Sequence, residues 1–389
     1  MQRIYLDHNA TTPVDEEVLE AMAPFVQKQF GNPSSLHHWG REARRAVEQA
    51  REEVALLIGA EDPAEIFFTS GGSEADNLAL KGVAFPYWKQ GKQIITSQVE
   101  HPAVLSTCRL LETYGYRVTY LPVDRYGQVD PADLEAALTP ETILVSIMHA
   151  NNEVGTIQPV AELATLAKEK GVLFHTDAVQ SVGKIPVDVK ALGVDLLSLS
   201  GHKLYAPKGI GALYVRKGTP LWPLISGGHQ EGGLRAGTEN VAGIVALGKA
   251  CAIARRVMKQ EGERLARLRD RLQEGICTTI PGVSLNGHPT QRLPTTVNLS
   301  FHGVEGEALL IHLDLQGVAV STGSACSSGR LEPSHVLEAM GLTPEESKSA
   351  IRFSLGRGNT EEEITSVLDL LPPIVEQLRL TSLLWEEKA

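Results

Sequence analysis

Five short apolar runs, Ile66–Thr69, Gln93–Thr96, Ile143–Ile147, Val172–His175 and Leu196–Ser200, each stop at a polar or glycine-rich turn. Longer segments of helical character separate them. Runs this short, bounded by turn residues, read as buried strands. Strands that alternate with helices define an α/β chain built on a mostly parallel sheet flanked by helices. Residues 41–58 place Ala43, Ala46, Val47, Ala50, Val54 and Leu57 at helical spacing, and Gly59 follows as a C-terminal cap. Gly209–Val215 reads as one more strand, close enough behind Leu196–Ser200 to run antiparallel to its neighbour. Over 250–280, Val257, Leu265, Leu268, Leu272 and Ile276 mark an amphipathic helix able to join two domains. A strand at Val297–Phe301, a helix near 305–315 and a small-residue loop at 320–330 follow. Thr360 and Glu363 form a capping box for a late helix, which Pro372 and Pro373 are expected to break or kink. These shifts predict a large domain at 16–258 and a smaller α/β domain made of 1–15 and 259–389.

Composition narrows the function. Hydrophobic residues make up 42% of the 389 and charged residues 21%, as in globular enzymes. A net charge of -11 argues against a broad basic face for nucleic acid or anionic lipid. The opening MQRIYLDHNATTPVDEEV has no basic stretch followed by an apolar one, and the apolar runs at 143–148 and 194–199 are too short to span a bilayer. The expectation is a cytoplasmic protein with no membrane partner. Cys108, Cys251, Cys277 and Cys326 lie far apart, with neither a Cys-x-x-Cys pair nor metal-ligand spacing. The first three read as small buried hydrophobes.

Ligands of open parallel sheets bind at the carboxyl ends of the strands. Four segments in such places carry chemistry. Thr69-Ser-Gly-Gly-Ser73 combines glycines with a hydroxyl at a helix start, which suits a phosphate or a plain cap equally. No G-x-G-x-x-G or Walker A sequence is present to indicate a nucleotide. Asp177 follows the fourth run and fits either a helix cap or a carboxylate paired with a pyridinium nitrogen. Lys203, in Ser200-Gly-His202-Lys203, ends an apolar strand, where partial burial would keep its amine neutral for Schiff-base chemistry. A snorkelling lysine is the alternative. Cys326 stands alone in Ser321-Thr-Gly-Ser-Ala-Cys326-Ser-Ser-Gly329, a setting that suits a reactive nucleophile better than an inert thiol.

With Ser-Gly-His-Lys at 200–203 and Gly-Ser-Ala-Cys at 323–326, the sequence resembles the cysteine desulfurases of the class-V aminotransferase group, which have PLP fold type I. The resemblance runs from Tyr5-Leu-Asp-His-Asn-Ala-Thr-Thr-Pro13 to Arg352-Phe-Ser-Leu-Gly356. It implies pyridoxal 5′-phosphate as cofactor, L-cysteine as substrate, a homodimer, and an acceptor such as an iron–sulfur scaffold. Lys203 is implied to hold the cofactor, Asp177 to pair with the ring nitrogen, Gln180 to bond the ring hydroxyl, and His101 to stack on the ring and move protons. Gly72, Ser73, Ser200 and His202 are implied to hold the phosphate, and Thr238 to reach the phosphate of the partner subunit. Asn152 is implied to lie near ring and substrate, Arg352 to clamp the substrate carboxylate, and Cys326 to receive sulfur as a persulfide. Two of these have a plainer alternative: a cap for His101 and a structural ion pair for Arg352. The rivals are an aminotransferase or a selenocysteine or cystine lyase, which share Lys203 and Asp177 but have no call on Cys326. A non-catalytic sulfur-carrier scaffold is a rival of another class.

Overall fold

A computed structural model describes residues 3–87, 92–322 and 333–382. Most of the loop expected at 320–330, Cys326 included, lies outside the described residues. Strand β1 (Ile4–Tyr5) opens the chain, followed by β2 (Ile66–Thr69), β3 (Gln93–Ser97), β4 (Arg117–Leu121), β5 (Thr142–Ser146), β6 (Leu173–Asp177), β7 (Leu196–Ser200) and β8 (Gly211–Val215). The last seven form one sheet in the order β2-β8-β7-β6-β5-β3-β4. All five apolar runs are strands of it. From β7 to β4 the neighbours run parallel, while β8 is antiparallel to both β7 and β2. Edge strand β4 gave no apolar run because four of its five residues are not buried. Helices cover the sheet, so the fold is the expected α/β architecture with a mostly parallel sheet.

β9 (Val283–Asn286), β10 (Thr296–Phe301) and β12 (Ala350–Ser354) form a second, antiparallel sheet in the order β12-β10-β9, and β1 pairs in parallel with β11 (Val318–Ala319). Two large apolar cores result. One gathers Val54, Phe68, Val145, Phe174 and Leu199 around the large sheet. The other gathers Ile4, Leu6, Val297, Phe301, Leu313, Phe353 and Leu371 around the small one. A helix over Val241–Thr279 serves both: Ile244, Leu247 and Ile253 enter the first core, and Leu265, Leu268, Leu272 and Ile276 the second. On this ground we propose the division into 16–258 and 1–15 with 259–389, whose boundary falls where this helix changes cores.

That helix starts earlier than the amphipathic pattern from residue 250. Its first turns pack against the helices Glu16–Gln27 and His38–Ile58, so this stretch is apolar on most sides and shows no stripe. The helix His38–Ile58 ends as expected at Gly59, left-handed at φ 69°. Two expectations are corrected. The helix Glu361–Leu380 runs through Pro372 and Pro373, because Ile364, Val367, Leu371, Ile374 and Val375 seat one face in the second core. Packing here outweighs the lost N–H donors. Cys277 is exposed rather than buried, since it lies one residue past the inward-facing Ile276. Among the described residues, no helix is long and apolar enough to cross a membrane.

Candidate active site

The carboxyl ends of β2, β3, β5, β6 and β7 converge on a cavity of about 200 Å³. Its lining includes Gly72, Ser73, His101, Asn152, Asp177, Gln180, Ser200, His202, Lys203 and Arg352. Ten of the twelve residues singled out from sequence therefore share one space. Thr238 is exposed and outside the lining, and Cys326 lies outside the described residues.

One end of the cavity is built for an anion. The helix Gly72–Tyr87 starts here, and its first N–H groups have no partner in a preceding turn. A Cβ at Gly72 would meet Val179 Cγ2 at 2.7 Å, so only glycine lets the two segments approach this closely. Ser200, almost fully buried, ends β7 beside it. His202 bonds Thr11 Oγ1 through Nδ1 at 3.2 Å, and burial, then Lys203, lower its pKa to about 4. It is therefore a neutral imidazole at pH 7.

At the other end, Asp177 leaves β6 buried, and one carboxylate oxygen accepts the Val179 N–H at 2.9 Å. Burial raises its pKa, whereas His101, the Val179 N–H and Lys203 pull it down. A cationic ring nitrogen placed beside this carboxylate would favour its charged form further. His101 caps the helix Pro102–Thr113, its Nδ1 accepting from Ala103 N at 3.1 Å. The cap places the neutral ring's proton on Nε2, and burial lowers its pKa. Cap and cavity wall are thus one residue. Lys203 ends the 3-10 turn that follows β7, and Nζ donates to the carbonyl oxygens of Asn9 and, at 2.7 Å, of Ala10.

Arg352, 2% exposed, projects from the small sheet. Its Nη1 donates to Asn152 O at 3.1 Å and Nη2 to Asp7 Oδ1 at 2.7 Å, while Nε has no hydrogen-bond partner among the described residues. The ion pair named as the alternative is present. The segment carrying Cys326 is rooted beside these groups. On one side Ser321 and Arg352 exchange backbone hydrogen bonds. On the other, Ser334 Oγ donates to Glu153 Oε2 at 2.5 Å, and His335 Nε2 meets Glu100 O at 3.0 Å, next to His101.

Sequence reading missed Asn9, Asp76 and Lys184. Asn9 is a hub: its backbone oxygen accepts from Lys203 and Gln180, its Oδ1 from Lys184, and its Nδ2 donates to Asn152 O and Thr296 Oγ1. Asp76 lines the cavity, three residues after Ser73 on the same helix face, and lies buried with Oδ1 3.7 Å from His175 Nε2. Spacing from Ser73 was the one signal available for Asp76. Nothing in the periodicity marked Asn9 or Lys184.

Together the groups define a polar pocket with an anion cradle, a carboxylate for a cationic ring, a lysine amine and a buried guanidinium, which is the donor set that pyridoxal phosphate and an amino acid require. The chain belongs to the class-V aminotransferase family, whose pattern it matches over residues 4–367. Several of its relatives at 53–58% identity are named cysteine desulfurases. It is 58% identical over 381 residues to "Cysteine desulfurase IscS" of Dictyoglomus turgidum, covering 98% of this chain and 96% of that one. To the protein of the same name from Methanosarcina thermophila it is 54% identical, covering 97% and 93%. Among solved structures, a NifS-like protein superposes with a TM-score of 0.90 at 43% identity, covering 97% of this chain and 100% of that one. A NifS-like protein from Rickettsia africae gives 0.87 at 34% identity, covering 96% and 100%.

Proposed function

We propose that this chain is a pyridoxal-5′-phosphate-dependent cysteine desulfurase that converts L-cysteine to L-alanine and takes the sulfur onto Cys326. The observation that carries the reading is the single cavity shared by Lys203, Asp177, the Gly72–Ser73 cradle and Arg352, with the Cys326 segment rooted at its rim. Gly72, Ser73, Ser200 and His202 would hold the phosphate, Asp177 the ring nitrogen, Gln180 the ring oxygen, and Lys203 the carbonyl carbon. His101 would cover the ring. Bound there, pyridoxal phosphate supplies a sink for the electrons released at the substrate α-carbon.

The chain's own residues do the rest. Arg352 would hold the substrate carboxylate, with Asn152 beside it. Lys203 or His101 would move the α-proton. The Cys326 thiolate would attack the substrate sulfur. The C–S bond breaks, an S–S bond forms and the β-carbon gains a proton. In sum, Cys326–SH and L-cysteine give Cys326–SSH and L-alanine. The persulfide would then pass to an acceptor, an iron–sulfur scaffold or another thiolation target. Thr238, exposed and away from its own chain's cavity, would complete the phosphate site of a partner in a homodimer.

The test is a yellow chromophore in the purified protein, with alanine and sulfide assayed from L-cysteine under reductant. Equal yields are expected. Cys326→Ala should keep the chromophore and lose desulfuration by roughly three orders of magnitude. Lys203→Ala should lose both. Alanine formation that survives Cys326→Ala would sink the persulfide route and favour an aminotransferase or lyase.

A further inference from the structure

We propose that Lys184 is a positioning residue that locks the Gln180 side chain with its N–H, not its carbonyl, toward the cofactor's ring oxygen. This rests on the reading of the cavity as a pyridoxal-phosphate site. Lys184 follows Gln180 by four residues in the turns after β6. Its Nζ donates to Gln180 Oε1 at 2.7 Å and to Asn9 Oδ1 at 3.0 Å. Gln180 Nε2 donates to the Asn9 backbone oxygen at 3.0 Å.

These partners admit one orientation. A lysine amine offers protons, and a backbone carbonyl only accepts them. Turned over, the Gln180 amide would set its NH₂ against Nζ and its oxygen against Asn9 O, losing both bonds and gaining two repulsions. Asn9 is held in the same way, because Oδ1 faces Lys184 while Nδ2 donates to Asn152 O and Thr296 Oγ1. Burial, then Lys203 and Arg352, draw the Lys184 pKa well down. Even as a neutral amine, Nζ has two protons for these two oxygens, and Asn9 O, which only accepts, still opposes the turned-over amide.

The consequence lies in the remaining proton. Gln180 lines the cavity, and Asn9 O takes one of the two protons on Nε2. The second is the donor left for a ligand. A donor stabilises a deprotonated, anionic ring oxygen, whereas a carbonyl in its place would favour the protonated one. Lys184 thus sets the protonation of a group it does not touch.

The test is the absorption spectrum of the cofactor-loaded protein, which separates forms with the ring oxygen deprotonated and protonated. Lys184→Met should lower the ratio of the two bands about tenfold, as for one hydrogen bond to a charged group. Gln180→Ala should do the same, and the double variant should move the ratio no further. Lys184→Arg, which keeps its donors, should hold the parent ratio. A ratio within about twofold of the parent in Lys184→Met, or a full shift when Lys184→Met is added to Gln180→Ala, overturns the inference. A parent protein with no visible band overturns the site reading and the inference together.

Discussion

Glu100, next in sequence to the cavity residue His101, is a carboxyl whose neutral form the fold favours. It is fully buried between β3 and β5, and its carboxyl accepts the Ser97 hydroxyl at 2.6 Å and the Met148 N–H at 3.0 Å. Burial, chiefly, pushes its pKa up to about 8. The next residue is His101. A carboxyl neutral in the fold and titrating near 4.5 when unfolded binds the extra proton in the folded state. Its contribution to stability is therefore complete below about pH 4.5 and is lost as pH rises through about 8. Glu100→Gln, which cannot ionise, should gain on the parent as pH rises from 5 to 8, by up to about 1.4 kcal/mol per pH unit. Urea unfolding of both proteins across that range measures the difference. A gap that stays constant would mean that Glu100 ionises within the fold. His101 teaches a related lesson: its cap and its place in the cavity wall are compatible, because the cap uses Nδ1 and leaves Nε2–H.

Between elements, one ion pair joins three segments at the outer end of the large sheet. Arg51, from the helix His38–Ile58, makes two hydrogen bonds of 2.8 Å to Glu231 and lies over the Phe68 ring at 4.8 Å. Glu231 also accepts the Phe68 N–H at 2.8 Å. It holds φ 46°, a left-handed conformation that costs a side-chain-bearing residue about 1–2 kcal/mol. The bidentate pair keeps it there. Both side chains are under 10% exposed. Arg51→Met would strand the carboxylate and should cost about 3–5 kcal/mol, read by chemical denaturation. A loss below about 1 kcal/mol would show that Glu231 finds another partner. Further along the same loop stands Thr238, so the pair also steadies the segment proposed to serve a partner subunit.

At the scale of the whole molecule, the active site is assembled from distant parts of the chain. Asn9 and Asp7 come from the first residues, Lys203 from the large sheet and Arg352 from the small one, and Arg352 Nη2 reaches Asp7 at 2.7 Å. Phe30, Leu36, Trp39 and Trp222 are exposed on a single chain, consistent with the proposed homodimer. Thr238→Ala should leave the protein dimeric by sedimentation while weakening pyridoxal-phosphate affinity about tenfold, as for one charged hydrogen bond. Unchanged affinity would remove Thr238 from the phosphate site. What the sequence by itself determined was what local pattern can encode. The buried strands announced themselves as apolar runs, Gly59 as a cap, and Lys203 and Asp177 as polar residues at strand ends, where parallel sheets place their ligands. Edge strand β4 and the first turns of the helix Val241–Thr279 did not show, because one is too exposed and the other too enclosed to display a period. Only the tertiary structure decided that Asn9 joins Lys203, Gln180 and Lys184, and that Arg352 already holds Asp7. Those contacts link residues up to 345 positions apart, and no periodicity records a hydrogen bond across that distance.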